Sequence, residues 1–151
     1  MLNKIAADSS LLVGLINPGD LWRNKALALH QALDAAEMEL IYFDCVVTEA
    51  LSAAVRRLHE KKRFSEVEAL FNRLNIHVPP ETITWILPDV SRLYPEVIKL
   101  MLSSGGALNF NDALIALACR ERGIPAIASF DTDFDQVEWL RRLALPEDIQ
   151  K

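Results

Sequence analysis

The alternation of short apolar, β-prone runs with longer segments of helical periodicity is the feature that most constrains the fold of this chain. Residues 3–7 form the first such run, and Leu11, Leu12, Leu15 and Ile16 follow it at helical spacing. The same succession of strand and helix recurs towards the C-terminus. Because consecutive parallel strands need a helical crossover between them, the pattern predicts an α/β fold with a largely parallel sheet.

The remaining elements are placed by turn residues, prolines and the spacing of apolar side chains. The further predicted strands are residues 40–43, 76–78 and 125–129, and the further predicted helices are 21–39, the segment after 43, 65–74 and 112–122. Two prolines divide residues 81–102 into more than one helical piece, and the SSGG stretch at 103–106 is predicted to be a loop. The prediction is one α/β domain, residues 1–151, with a mostly parallel sheet of about five strands flanked by helices.

Composition excludes several other classes of protein. With 51% hydrophobic and 25% charged residues, the chain is typical of a globular domain rather than a disordered one. Its longest uncharged apolar run, 113–119, is far shorter than the roughly 20 residues that span a bilayer. An acidic residue is reached before any export signal develops, so we expect a cytoplasmic protein without a membrane segment.

The cysteines and the net charge exclude further kinds of site and of binding protein. Cys45 and Cys119 are far apart, without a CxxC motif or a cysteine/histidine cluster, so neither a structural zinc site nor a disulfide framework is predicted. The formal net charge of -5 argues against a general, charge-driven nucleic-acid binder. Any nucleic-acid role therefore needs a local explanation.

Four acidic residues fall at positions that the predicted topology brings to one edge of the sheet. Asp8 follows the first strand, Glu49 the second, Asp131 a later one, and Asp112 opens a helix; Asp133 is close behind. Carboxylates that approach one another repel and raise each other's pKa unless a cation lies between them. The sequence therefore predicts a site for a divalent cation.

The donor set indicates which cation and which reaction. Mg²⁺ and Mn²⁺ prefer oxygen ligands, retain several waters and are often bound together with substrate phosphates. No histidine or cysteine cluster favours zinc or copper instead. The chemistry implied is metal-assisted attack of water on a phosphodiester, which needs no histidine or serine nucleophile.

Each acid also has a purely structural interpretation. Asp8 can cap the following helix, and Asp112 can be favoured by the dipole of its own helix, although Asn109 and Asn111 are equally good caps there. Glu49 lies nearly opposite the apolar side of its helix, where a solvent-exposed glutamate is expected.

The late acids share a single turn, and one functional member is expected among Asp131, Asp133 and Asp135 rather than three.

Three segments together resemble the PIN-domain nucleases, and most closely the toxins of VapBC-type toxin–antitoxin systems. The segments are ADSSLLVGL near the start, TEALSAAVRR in the helix predicted after residue 43, and NDALIALACRERGIPAIASFDTDF near the end. They are distributed over nearly the whole chain. The last segment is the most specific, because its acidic helix start, glycine-ended helix, apolar strand and closing acidic turn are hard to produce by patterning alone.

The resemblance implies a site, a substrate and partners. The implied ligands of Mg²⁺ or Mn²⁺ are Asp8, Glu49, Asp112 and Asp131, with Asp133 as an auxiliary ligand and Ser129 and Ser10 as site hydroxyls. Serine at 129 stands where threonine is commoner in the family, and it retains the hydroxyl. The resemblance further implies an endoribonuclease of the toxin type, an RNA substrate, a cognate antitoxin protein and a homodimer.

Basic residues of the helix predicted after residue 43, and of its end, supply a candidate RNA contact. Arg56, Arg57 and Lys61 follow Glu49 and can meet phosphates near the metal. The alternative is an ordinary solvated helix face.

The three tryptophans, Trp22, Trp85 and Trp139, are scattered along the chain, so we expect core or interface residues rather than a surface on which bases stack.

Two other enzyme or signalling classes fit less well. A haloacid-dehalogenase-type phosphatase carries an Asp-x-Asp motif after the first strand, whereas here Asp8 is followed by two serines. A receiver-type module needs an acidic pair at that place and a late lysine, and no lysine lies between Lys99 and Lys151. The remaining alternative is a PIN-like protein-binding or regulatory module without nuclease activity.

Overall fold

A four-stranded parallel sheet lies at the centre of the computed structural model, which describes residues 3–150. Its strands are β1 (Lys4–Ala7), β2 (Glu39–Ile41), β3 (Ala126–Ala128) and β4 (Arg141–Leu143), in the spatial order β2-β1-β3-β4. All three neighbouring pairs are parallel. The predicted α/β class and parallel sheet are confirmed, with four strands in the described part of the chain rather than about five.

Six α-helices surround this sheet. They are α1 (Ser9–Ile16), α2 (Arg23–Ala35), α3 (Asp44–Glu60), α4 (Val67–His77), α5 (Val90–Ser103) and α6 (Phe110–Arg122). The predicted helix 21–39 is longer than α2, because Glu37 adopts a left-handed conformation and the chain then enters β2. Gly123 ends α6 in the left-handed conformation that favours glycine.

Two strand assignments made from the sequence differ from the structure. The predicted strand 76–78 is wrong: its first two residues belong to the last turn of α4, whose buried Leu70 and Leu74 maintain helical spacing up to the following prolines. Conversely, β4 was not predicted, because two of its three residues are arginines and only Leu143 is completely buried. The local sequence does not predict this strand, which forms because the segment pairs with β3.

The segment between α4 and α6 is more than one helical piece, as predicted, but of the two prolines only Pro88 lies at a break. Short 3₁₀ turns occupy Pro80–Thr82 and Leu87–Asp89 before α5 begins. Pro95 lies inside α5 without ending it. Ser103 is the last residue of α5, and residues 104–106 form a turn in which both glycines have positive φ, as expected of a loop.

The first helix is held deep in the protein by its apolar sequence. Six of its eight residues are buried, and it packs against α2, α3 and α4. Gly14 permits the close approach of α2, since a Cβ there would lie 2.6 Å from Cβ of Ala26. This packing fixes α1 directly behind β1 and so fixes the residue that joins them, Asp8.

The long apolar run of α6 is buried as a continuous core segment. Cys45 and Cys119 are both buried and free, as expected of small hydrophobic side chains. In residues 3–150, every helix is too short or too polar to cross a bilayer.

Candidate active site

The carboxyl ends of the two central strands create the floor of the site. β1 and β3 are parallel neighbours, with Ala7 paired to Ala128, so the residues that follow them emerge side by side. The backbone N–H of Asp8 donates to the carbonyl of Ala128 at 3.0 Å. The next residue after β3 is Ser129, which is completely buried. The sheet register therefore places Asp8 and Ser129 in contact.

Two hydroxyl groups hold the Asp8 carboxylate. Ser129 Oγ donates to Asp8 Oδ2 at 2.7 Å, and Ser10 Oγ donates to the same oxygen at 3.0 Å. The side chain makes no capping hydrogen bond to α1, so the structural interpretation of Asp8 as a cap is not supported. Burial raises the pKa of Asp8, and the two hydroxyls partly offset this by stabilising the ionised form.

The same hydroxyls also shape the loop after β3. Ser129 Oγ accepts from the backbone N–H of Asp131 at 3.0 Å, and Ser10 Oγ accepts from that of Phe130 at 3.1 Å. This short network ties the start of α1 to the loop that carries the late acids. The position of Asp131 relative to Asp8 is thus fixed by hydrogen bonds.

The three late acids have three different environments. Asp131 caps the 3₁₀ turn Thr132–Gln136 by accepting from the N–H of Asp133 at 2.9 Å, and it faces the site. Asp135 instead pairs with Arg142 at 2.8 Å. Asp133 lies beside Asp131, which raises its pKa, but it does not line the cavity described below.

Asp112 enters the site from the N-terminus of α6. Asn109 caps this helix, with its Oδ1 accepting the N–H of Asp112 at 2.9 Å, so the Asp112 carboxylate is not needed as a cap. The residue is buried. Burial, together with repulsion from Asp8 and Asp131, raises the pKa of Asp112 to about 7.

Glu49 completes the set from α3. It is half-buried rather than solvent-exposed, so the expectation of an ordinary surface glutamate is wrong. The pKa of Glu49 is raised, mainly by burial and to a smaller extent by repulsion from Asp8. Sequence alone suggested the solvent side because it could not show that this side of α3 faces the rim of the sheet.

An open cavity of about 280 Å³, here called the acid cavity, lies among these residues. Asp8, Glu49, Asp112 and Asp131 all line it. Of the predicted RNA contacts only Arg57 reaches it, while Arg56 is exposed elsewhere on α3 and Lys61 follows the end of that helix.

Four polar or aromatic residues of the cavity were not predicted from the sequence: Ser9, Asp20, Trp22 and Asn109. Asp20 accepts hydrogen bonds from the Arg57 guanidinium and from the backbone N–H of Trp22. In the sequence it is only the last residue of an Asn-Pro-Gly-Asp turn, and no local signal links it to Arg57.

A further buried acid, Asp44, has a structural role. Its carboxylate accepts from the backbone N–H groups of Cys45, Ile86 and Leu87 at 2.9–3.1 Å. It fastens the loop before α5 to the start of α3.

The donor chemistry of the cavity fits a hard divalent cation. Five carboxylates line the cavity, of which Asp20 is paired with Arg57, and no histidine or cysteine of residues 3–150 lines it. Burial, together with repulsion among the acids, raises the pKa values of Asp8, Glu49 and Asp112. Within residues 3–150, however, no three acidic, histidine or cysteine side chains converge into a ready-made metal cage. Such spacing suits an ion that keeps part of its water shell and binds phosphate, as Mg²⁺ does.

The chain matches one protein-family model and is similar in fold to a solved structure. A family model described as PIN domain matches residues 5–140. The crystal structure of VapC20 from Mycobacterium tuberculosis, described as a sarcin-ricin loop cleaving toxin, is similar to this chain with a TM-score of 0.67 and 20% sequence identity. The match covers 89% of this chain and 95% of VapC20, and at this identity it establishes the fold. No curated protein matches the chain significantly in sequence.

Proposed function

This chain belongs to the PIN domain family, and on that basis we propose that it is a divalent-metal-dependent endoribonuclease, the toxin of a toxin–antitoxin pair. The observation that carries the proposal is that four carboxylates, besides the ion-paired Asp20, line one cavity at the carboxyl edge of the sheet. Nothing in helix or strand formation requires four acids there, and their repulsion opposes folding. Binding of a cation and an anionic substrate explains why the arrangement exists.

The residues that would hold Mg²⁺ or Mn²⁺ are Asp8, Glu49, Asp112 and Asp131. When bound, the ion supplies charge neutralisation at the phosphate and a lower pKa for water. Asp133 is proposed only as an auxiliary ligand, because it contacts Asp131 without lining the cavity.

The protein's own groups prepare the site for this chemistry. Hydrogen bonds from Ser10 and Ser129 favour the ionised form of Asp8, which is the form that binds a cation. At neutral pH the Asp112 carboxylate is part protonated in the metal-free protein, so cation affinity is expected to rise between about pH 6 and 8. Arg57 lines the cavity, which supports our proposal that it contacts a substrate phosphate.

The resemblance to toxins also supports an antitoxin partner, a homodimer and a cytoplasmic location. Several large apolar side chains are exposed, which is typical of surfaces that other proteins cover. They include Phe71 and Ile76 on α4 and Tyr94 and Leu102 on α5. Co-purification with the product of a neighbouring small gene, and the mass of the purified chain in solution, test these proposals.

The decisive experiment is cleavage of RNA by purified, antitoxin-free protein with Mg²⁺, Mn²⁺ or EDTA. The panel contains total RNA, defined tRNAs and a sarcin–ricin loop RNA, the last because a similar fold is described as cleaving it. We expect cutting that requires metal and is lost in Asp112→Asn.

Asp34→Asn is the matched control, because Asp34 is exposed on α2 and lies outside the acid cavity. Cleavage that persists in EDTA or in Asp112→Asn contradicts the proposed site. No cleavage by the metal-loaded protein across the panel favours the alternative of a PIN-like binding module.

A further inference from the structure

An aromatic pair borders the acid cavity. The rings of Trp22 and Phe130 are stacked, with centroids 5.4 Å apart and an interplanar angle of 19°. Trp22 lines the cavity and is 37% exposed, so part of its ring surface is open to solvent. Its isolation in the sequence predicted a core or interface residue, and its exposure shows that it is not a core residue.

Both rings are held in place by residues of the site itself. Phe130 lies between Ser129 and Asp131, and its backbone N–H donates to Ser10 Oγ. The backbone N–H of Trp22 donates to Asp20, whose other carboxylate oxygen accepts from Arg57. The pair is thus fixed at a set position relative to the carboxylates.

Two basic side chains lie near the aromatic pair. The Lys25 ammonium lies 4.8 Å from the centroid of the Trp22 ring, and the Arg57 guanidinium reaches the same cavity wall. An exposed aromatic ring flanked by basic groups is the arrangement that binds single-stranded nucleic acid, since the base stacks on the ring and the cations meet the phosphates. A base that stacks on Trp22 competes with Lys25 for ring surface and leaves its ammonium available to a phosphate.

We propose that the exposed part of Trp22, backed by Phe130, is the surface on which one base of the RNA stacks beside the cleaved phosphodiester. The proposal rests on the proposed nuclease function and assigns a base-binding residue to that site. A base within a regular duplex has its faces covered by neighbouring bases and cannot present one to the ring.

The test combines protein variants with RNA that lacks a single base. A short fluorescent RNA that the wild type cuts is prepared with one abasic nucleotide at each position within two of the cut. Cleavage rates and RNA affinity are measured for wild type, Trp22→Phe and Trp22→Ala. Trp85→Ala is the control, because Trp85 is 60% exposed and does not line the cavity.

We expect one abasic position to weaken binding to the wild type about ten-fold, the size of a lost stacking contact. Trp22→Ala should bind intact RNA about ten-fold more weakly and be insensitive to that same abasic position. Trp22→Phe should restore most of the affinity, and Trp85→Ala should behave as wild type. A mere structural role predicts losses that are equal on intact and abasic RNA, and that result overturns the proposal.

Different results refute the stacking surface and the nuclease function. If the wild type cuts RNA and no abasic position distinguishes it from Trp22→Ala, the stacking surface is refuted while the nuclease stands. If no RNA is cut, the nuclease proposal fails, and anisotropy of the intact single-stranded RNA still decides the inference. Equal affinities of wild type and Trp22→Ala in that measurement overturn it.

Discussion

The Asp112 carboxylate should destabilise the metal-free protein and stabilise the metal-bound one. Its pKa is raised from 3.8 to about 7 by burial and by repulsion from Asp8 and Asp131. A shift of this size corresponds to about 4 kcal/mol in favour of the protonated form. Solvent in the open cavity screens the repulsion, so we expect about 1–2 kcal/mol in practice.

The sign of the effect follows from proton linkage. Since the folded protein holds this proton more tightly than the unfolded chain, the penalty is absent below pH 3.8, grows as pH rises, and is complete above pH 7. Asp112→Asn removes the charge and leaves the capping bond from its backbone N–H to Asn109 in place. In EDTA at pH 8, the variant should therefore melt about 2 to 8 °C higher than wild type, with a smaller difference at pH 5.

The assay is thermal unfolding at pH 5 and pH 8, in EDTA and with Mn²⁺. Saturating Mn²⁺ should raise the melting temperature of wild type at pH 8 and have much less effect on Asp112→Asn. Asp34→Asn, at an exposed position, should match wild type throughout. A variant no more stable than wild type in EDTA at pH 8 would refute the reasoning from buried repulsion.

Three further substitutions test the architecture around the site by urea unfolding in EDTA. Ser129→Ala removes the buried hydroxyl that donates to Asp8 and should cost about 1–3 kcal/mol, with Ser129→Thr close to wild type. Gly14→Ala places a methyl group against Ala26 and should cost about 1–3 kcal/mol, whereas a neutral result would show that α1 and α2 can separate without cost. Asp44→Ala leaves three backbone N–H groups without their acceptor and should lower the free energy of unfolding by about 2–4 kcal/mol. The stabilisation by Mn²⁺ should be unchanged, and its loss would place Asp44 in the metal site.

Much of the fold could be predicted because its signals are local. The buried run of β1, the apolar spacing of α1 and the glycine that ends α6 each depend on a few neighbouring residues. The predicted strand 76–78 failed because a short apolar run before prolines fits a helix end as well as a strand. β4 was missed because its two arginines carry no β signal, and only the ladder to β3 makes that segment a strand.

Part of the candidate site could likewise be predicted from the sequence, and part could not. Parallel strands end at a common edge, so the acids that follow them along the chain, Asp8, Glu49 and Asp131, could be placed there from the sequence. Asp112, which opens α6, was placed there with them. The position of Glu49 on its helix, taken alone, nevertheless suggested solvent. Its half-burial in the cavity depends on how α3 packs against α1.

The sequence by itself determined the alternation of strands and helices and the acidic donor set, because both are written in residue type and short-range spacing. Only the tertiary structure decided the raised pKa of Asp112, the pairing of Asp20 with Arg57 and the stacking of Trp22 on Phe130. Each of these joins segments far apart in the chain, and its energy depends on distance, burial and the low local dielectric, none of which a linear order of residues specifies.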